Sequence, residues 1–349
     1  MQLAKSRHGR ILNSRIVVVG SGFAGLKVAK ALGRRRSGVT IIDRHNHHLF
    51  QPLLYHVATA ALSAPDIAEP IRKILGRCPS VQFLFGDVAG IGTEGGMLVL
   101  ADGTRFPIHT GPGNRFAAVL CRPGQLGSGC PGLKTIEDAR TIGSRLLLSF
   151  ELAERITYPV EQSRLMTIAI IGGGPTGVEL AGSIAELSRH TLARDFRNIR
   201  PEKTSIILAE AGDRLQLADS APGKARRRGR PRQSRRGGRS TEDHGRRQGH
   251  PGGLDALGRG VAASPLAARL GVGLDRGGRV KVASDLQVIG RSDVFALGDV
   301  ALFLDENGQP LPDLSQGAKQ EGEHLGRALA RRVDTGEALR RQADRRGTG

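Results

Sequence analysis

Two glycine-rich stretches hold the residues with the plainest chemical use. Gly20-Ser-Gly22-Phe-Ala-Gly25 follows the apolar run Arg15 to Gly20, and Gly172-Gly-Gly174-Pro-Thr-Gly177 follows Thr167 to Gly172. In such a loop the first glycine permits a tight turn, the second admits a pyrophosphate close to the backbone, and the third lets the next helix pack closely on the strand. The helix N-terminus then offers N–H donors and a positive dipole to phosphate. Asp43 and Glu210 close the next apolar runs, Val39 to Asp43 and Ser205 to Glu210. A carboxylate at that position can accept both ribose hydroxyls, and it repels a 2′-phosphate, which favours NAD over NADP. Two such loops imply two cofactors: most simply a tightly held FAD and a transient NADH. A third candidate is the apolar run from Ser292 that ends in Gly298-Asp299, which taken alone reads equally well as a strand-to-turn boundary.

These residues need rigid elements behind them. Phe23 to Leu32 and Val178 to His190 keep helical period, so each loop sits in a strand, turn, helix, strand unit that winds right-handed into a parallel sheet. Pro65 to Leu75 reads as a short helix, Val81 to Phe85 as a strand, and Met97 to Phe106 as a hairpin arm through the Asp102-Gly103 turn. From Glu137 to Arg155, with Ile142, Leu146, Phe150 and Ile156 at helical spacing, a longer helix leads out of the first domain. The 349 residues allow two domains, and with 3% aromatics and no Trp their cores must be aliphatic, as in helix-covered parallel sheets. The fold class is therefore α/β with two Rossmann-like dinucleotide-binding domains.

Two stretches break this order. Pro107 to Gly129 and Leu217 to Gly260 are rich in Gly, Pro and Arg and lack apolar period. Ala218 to His250 sets eleven basic residues against three acidic ones, a local +8 of the chain's formal +19. Such composition cannot offset its ordering entropy, so disorder is expected over 217–260. A natural basic linker is one origin; a shifted reading frame in GC-rich DNA is the other, and abrupt resumption of pattern on both sides favours it. Cys78, Cys121 and Cys130 show no paired redox or zinc spacing and follow no secretory signal, which reads as a reducing cytoplasmic compartment. The adjacent His45, His47 and His48 lack a regular ligand geometry, and no metal site is expected. No apolar stretch is long enough to span a bilayer as a helix.

The paired glycine motifs and the late Gly-Asp resemble the two-dinucleotide-binding flavoprotein reductases. Asn46 to Ala58 (NHHLFQPLLYHVA), Pro131 to Asp138 (PGLKTIED) and Ser315 to Gly322 (SQGAKQEG) resemble, within them, the type II NADH:quinone dehydrogenases. The resemblance implies an FAD domain, 1–155 and 285–349, interrupted by an NADH domain, 156–284. It implies FAD on Gly20, Gly22, Gly25, Asp43, Gly298 and Asp299, and NADH on Gly172, Gly174, Gly177 and Glu210. Gln316 and Gln320 would line a quinone tunnel, and Glu179 would stand near the flavin and assist quinone protonation. The implied partners are NADH and a quinone at the inner face of the cell membrane, with a homodimer also compatible and no specific nucleic acid.

The likeness lapses in the two unpatterned stretches, so the first is expected to lack the strand end that abuts FAD. It lapses again beyond Arg332, so the family's C-terminal membrane-binding helices are expected to be missing and the chain truncated. Two rival readings remain: a basic non-catalytic protein that binds nucleic acid or anionic lipid, and a soluble FAD/NAD(P) reductase with another acceptor. A disulfide-relay reductase is disfavoured, because no Cys-x4-Cys follows the first glycine motif.

Overall fold

The computed structural model describes residues 16–34, 38–92, 97–107, 117–120, 132–209, 254–257, 265–291, 293–304, 308–310 and 315–335. In chain order, β1 (Ile16–Val19), α1 (Phe23–Gly33) and β2 (Val39–Asp43) form the first βαβ unit. There follow β3 (His47–Leu49), the short helix α2 (Leu54–Ala58), β4 (Ala68–Pro70), α3 (Ile71–Ile74) and β5 (Val81–Phe85). A meander of β6 (Val88–Gly92), β7 (Met97–Leu100) and β8 (Arg105–Pro107) precedes β9 (Ala117–Leu120). Helices α4 (Ile136–Glu154) and α5 (Pro159–Leu165) lead to a second βαβ unit, β10 (Thr167–Ile171), α6 (Pro175–Glu186) and β11 (Ser205–Ala209). The last elements are β12 (Leu254–Leu257), α7 (Pro265–Ala268), β13 (Val280–Lys281), β14 (Val294–Ala296), β15 (Ala301–Leu302) and α8 (Ser315–Thr335).

The chain forms two compact units, one of Met1–Leu49, Ala68–Gly127 and Val261–Gly349, the other of Phe50–Ile67 and Ser128–Gly260. The expected domain limits lay at 155/156 and 284/285. The compact units divide nearer 127/128 and 260/261, and the second also takes in residues 50–67.

In the first unit a parallel sheet runs in the order β14-β9-β1-β2-β5. Its strands β1, β2 and β14 are buried on both faces, which is why they read as near-continuous apolar runs. Ile16, Val18, Val39 and Ile41 pack under α1 and α8, whereas Val17, Val19 and Ile42 pack towards the β6-β7-β8 meander and α7. The sheet corrects one expectation about Pro107 to Gly129. Ala117–Leu120, inside that unpatterned stretch, is the strand between β1 and β14, in register from Ile16↔Ala117 to Val19↔Leu120. Four apolar residues suffice there, because a central parallel strand needs length and hydrophobicity but no periodicity. The rest of that stretch lies outside the described residues.

A second correction concerns the helix expected over Pro65 to Leu75. Pro70 removes a helical N–H and forces Glu69 towards extended backbone. The segment accordingly splits into a 3-10 turn at Ala64–Ile67, then β4 paired antiparallel with β3, then α3. The Asp102-Gly103 turn forms as expected: Gly103 has φ 83°, and the Thr104 N–H donates to the Asp102 carboxylate at 2.9 Å.

The second unit holds a three-stranded parallel sheet in the order β11-β10-β12. Its strand β12 lies within 217–260, where disorder was expected, and pairs with β10 from Ile168↔Leu254 to Ile171↔Leu257. The remainder of 217–260 lies outside the described residues. Helix α4 buries Ile142, Leu146 and Phe150, while Ile156 falls beyond its C-cap at Arg155. The helix starts at Thr135 in a capping box: the Thr135 hydroxyl accepts from the Asp138 N–H, and the Asp138 carboxylate accepts from the Thr135 N–H, both at 3.0 Å. The Thr-x-x-Asp spacing inside PGLKTIED is thereby a helix start signal, worth about 1 kcal/mol.

Helix α8 lies along α1 through a stripe of small residues four apart, Ala318, Gly322, Gly326 and Ala330. A Cβ on Gly322 would come within 2.4 Å of the Ala24 carbonyl, and one on Gly326 within 2.7 Å of the Ala31 Cβ. Lys27 and Glu323 close the contact with a 2.5 Å ion pair. Gly322→Ala should therefore lower stability by about 1–3 kcal/mol through overpacking. Gly317→Ala, whose Cβ would meet nothing within 4 Å, should be neutral or stabilise by up to about 1 kcal/mol. Denaturant unfolding of the two variants checks this, and equal midpoints would contradict it.

Candidate functional site

At the end of β1 the backbone turns through Gly20 at φ 103°, and the Gly20 N–H donates to the Ile42 carbonyl at 2.8 Å. A Cβ on Gly25 would lie 1.9 Å from the Gly20 carbonyl oxygen, so only glycine lets α1 seat so close to the strand end. Gly22 caps α1 in an extended conformation with no side-chain cap, and the first turn holds no acidic residue. A helix start of this kind suits an anion.

Asp43 stands beside it. Its Oδ2 accepts from the Ser21 N–H at 2.6 Å and the Ser21 hydroxyl at 2.7 Å, and its Oδ1 accepts from the His45 N–H at 2.8 Å. Oδ1 keeps the larger remaining capacity for a ribose hydroxyl. Phe85, 61% exposed, ends the neighbouring strand in register with Asp43 and offers a planar face on the same side of the sheet.

The histidines after Asp43 hold the loop. His48 Nδ1 lies 2.9 Å from the Ser21 carbonyl, which can only accept, so this nitrogen carries the proton. Burial pushes the His48 pKa down despite that hydrogen bond, keeping the ring neutral at neutral pH. The ring meets Phe23 edge-on at 5.0 Å, and Lys319 places its ammonium 4.7 Å from the centre of the same Phe23 ring. Among the described residues no group of three or more His, Cys, Asp or Glu could hold a metal ion.

Because the five strands are parallel, Gly20, Asp43 and the Gly298-Asp299 turn after β14 all fall at the carboxyl edge of one sheet, the edge where open α/β sheets bind ligands. Gly298 takes φ 61°, and its N–H donates to Glu321 Oε2 at 2.7 Å. Asp299 is half-buried beside it. Gln316 and Gln320 are exposed on the first turns of α8, four residues apart and so on one face.

The second unit repeats the device. Gly172 has φ 115°, a Cβ on Gly177 would lie 2.0 Å from the Gly172 carbonyl oxygen, and Gly174 caps α6 without a side chain. A Cβ on Gly174 would meet nothing within 4 Å, so open space borders the residue where a ligand's phosphates would approach the backbone. Glu210 lies outside the described residues. Glu179, half-buried on α6, has its pKa raised by burial, partly offset by His56.

Four contributors went unnoticed in the sequence: Ser21, Phe85, Lys319 and Glu321. For Lys319 and Glu321 a signal was present but unread: the small residues Ala318, Gly322, Gly326 and Ala330, four apart along α8. The others act through neighbours distant in sequence.

This arrangement defines a two-dinucleotide oxidoreductase, and residues 14–228 match the family model described as pyridine nucleotide-disulphide oxidoreductase. The chain is 34% identical over 338 residues to the type II NADH:quinone oxidoreductase Ndh of Mycobacterium tuberculosis, covering 90% of this chain and 72% of the relative. It is 37% identical over 333 residues to NdhA of the same organism, covering 88% and 69%. Its fold matches NDH2 of Plasmodium falciparum, solved in complex with NADH, at TM-score 0.69 and 15% identity over 92% of this chain and 83% of that one. The chain belongs to the type II NADH:quinone oxidoreductase family.

The hydrogen bonds at Asp43 yield a prediction that needs no ligand. Asp43→Asn, which loses charge-assisted bonds from Ser21 and His45, should destabilise the chain by roughly 1–3 kcal/mol. Unfolding of the apoprotein measures it, and a change under a few tenths of a kcal/mol would show that the loop holds without the carboxylate.

Proposed function

We infer that this chain oxidises NADH and passes the electrons to a quinone through bound FAD. The observation that carries the reading is the duplicated seat: two strand-loop-helix joints, each too tight for a Cβ at its third glycine and each uncapped at the helix start. Gly20, Gly22, Gly25, Asp43, Gly298 and Asp299 would hold FAD, and Gly172, Gly174, Gly177 and Glu210 would hold NADH. The residues fit these groups, since the glycines leave backbone open to a diphosphate and Asp43 Oδ1 is placed to accept from a ribose.

Bound FAD supplies the two-electron exchange between donor and acceptor. The protein positions the two dinucleotides, and Glu179 supplies a carboxyl whose pKa burial raises against the opposing effect of His56. Gln316 and Gln320 would donate hydrogen bonds to the quinone oxygens. Quinones dissolve in lipid, so the chain would work as a peripheral protein at the inner face of the cell membrane, with a homodimer as the compatible assembly. Among the described residues no helix is long and apolar enough to cross a membrane. Family membership displaces the reading as a basic nucleic-acid-binding protein, and the remaining rival, another electron acceptor, is decided by assay.

The purified chain is expected to show a flavin absorbance that bleaches with NADH and returns with a soluble quinone. Gly25→Ala should be isolated with its flavin largely lost. Gly177→Ala should keep the flavin and require far more NADH to bleach it. A colourless parent chain, or bleaching that quinone does not reverse, would refute the proposal.

A further inference from the structure

Three neighbouring strand ends of the first unit stand in a row. The strands β1, β2 and β5 lie side by side in that order and are parallel. The glycine loop follows β1, Asp43 ends β2 and Phe85 ends β5. Asp43 and Phe85 are partners in register, so only the strand spacing of about 4.8 Å separates their backbones.

Both side chains leave the sheet on one face. Val39 and Ile41 of β2, with Val81 and Phe83 of β5, pack into the cluster that α1 and α8 cover. Side chains alternate along a strand, so Asp43 and Phe85 continue that face one step further, at the carboxyl edge. Phe83 lies beneath the Arg72 guanidinium at 4.9 Å. Among the described residues no ring or cation covers Phe85, which stands exposed. Its backbone is nonetheless held. The Gly86 N–H donates to the Asp43 carbonyl at 2.8 Å, and a Cβ on Gly86 would come within 2.7 Å of Leu100 Cδ1, so the turn after Phe85 is tied to β2 and packed on β7.

We propose that Phe85 is the stacking platform for the adenine of FAD, and so sets the preference of the first unit for FAD over flavins that lack adenosine. The platform rests on the reading of that unit as the FAD seat given above. With the phosphates at the start of α1 and the ribose hydroxyls on Asp43, the dinucleotide runs from β1 towards β2. The base is carried by the ribose carbon beside the one that bears the 2′-hydroxyl, away from the 5′-phosphate. Continued in the same direction, it arrives at the end of β5. There the exposed ring offers an apolar plane on which a base can stack. Asp43 recognises the ribose through its hydrogen-bond capacity, and Phe85 recognises the base through its plane.

The experiment measures flavin release on dilution of the FAD-loaded full chain, and FMN binding to the full chain stripped of flavin. Phe85→Ala and Phe85→Leu are expected to raise the FAD dissociation constant by about tenfold or more, within the range of a lost base stack. Phe85→Tyr and Phe85→Trp should keep it close to the parental value. FMN, which has the isoalloxazine and one phosphate but no adenine, should bind parent and variants alike. Because the chain has no Trp, Phe85→Trp also sets a single indole emitter at the end of β5. ADP should quench that emission in the stripped chain, and inorganic pyrophosphate should leave it unchanged. Equal weakening of FAD and FMN would make Phe85 structural, parental FAD retention by Phe85→Leu would make it an apolar contact without stacking, and an indole that ADP leaves unquenched would put the base elsewhere; each result overturns the platform. A parent chain that holds no FAD would instead overturn the reading of the first unit as an FAD seat, and the platform with it.

Discussion

The close seat of each helix on the end of its strand is the constraint on which the rest depends. At Gly25 and Gly177 the carbonyl of the loop's first glycine occupies the space of a Cβ, at 1.9 and 2.0 Å. That approach aims each helix start at the carboxyl edge of its own sheet, where the phosphates of a dinucleotide are held. It also fixes what must surround it. Gly20 and Gly172 must take positive φ to make the turn, and in the first unit the strand beneath is buried on both faces. A small-residue helix face follows from the same requirement for close packing.

In the first unit α8 packs against that seat. Its stripe of small residues brings it onto α1, so that Lys319 caps Phe23 while Glu321 receives the Gly298 N–H. One helix therefore joins the glycine loop to the Gly-Asp turn, although about 275 residues separate these in sequence. The exposed Gln316 and Gln320 sit on the turns so anchored. Loosening the contact of Gly322 with Ala24 would move all three features together.

Much of this was legible because the chemistry sat on strongly patterned segments. Both glycine loops, Asp43, and the strands Val39–Asp43 and Val81–Phe85 fall where spacing and hydrophobicity put them. The illegible parts failed for identifiable reasons. The strand Ala117–Leu120 is four small and aliphatic residues in Gly- and Pro-rich surroundings, and the strand Leu254–Leu257 sits beyond an Arg-rich run, so composition masked both. Pro70 breaks an apolar run that otherwise reads as helix. The partnership of Ser21 with Asp43, and that of Phe23 with His48 and Lys319, depends on side-chain rotamers and on neighbours brought near only by the sheet.

The two central carboxylates show how environment assigns different work to similar groups. Asp43 accepts three donors from Ser21 and His45, so its oxygens are engaged as acceptors and the group serves as an anchor. Glu179 is instead half-buried on α6, where desolvation outweighs the attraction of His56 and raises its pKa. A raised carboxyl pKa favours the acid form that can give a proton, whereas oxygens that accept N–H and O–H donors serve to hold a loop. The difference between them lies in what the neighbouring loop and helix present to each, and glycine motifs alone do not reveal it.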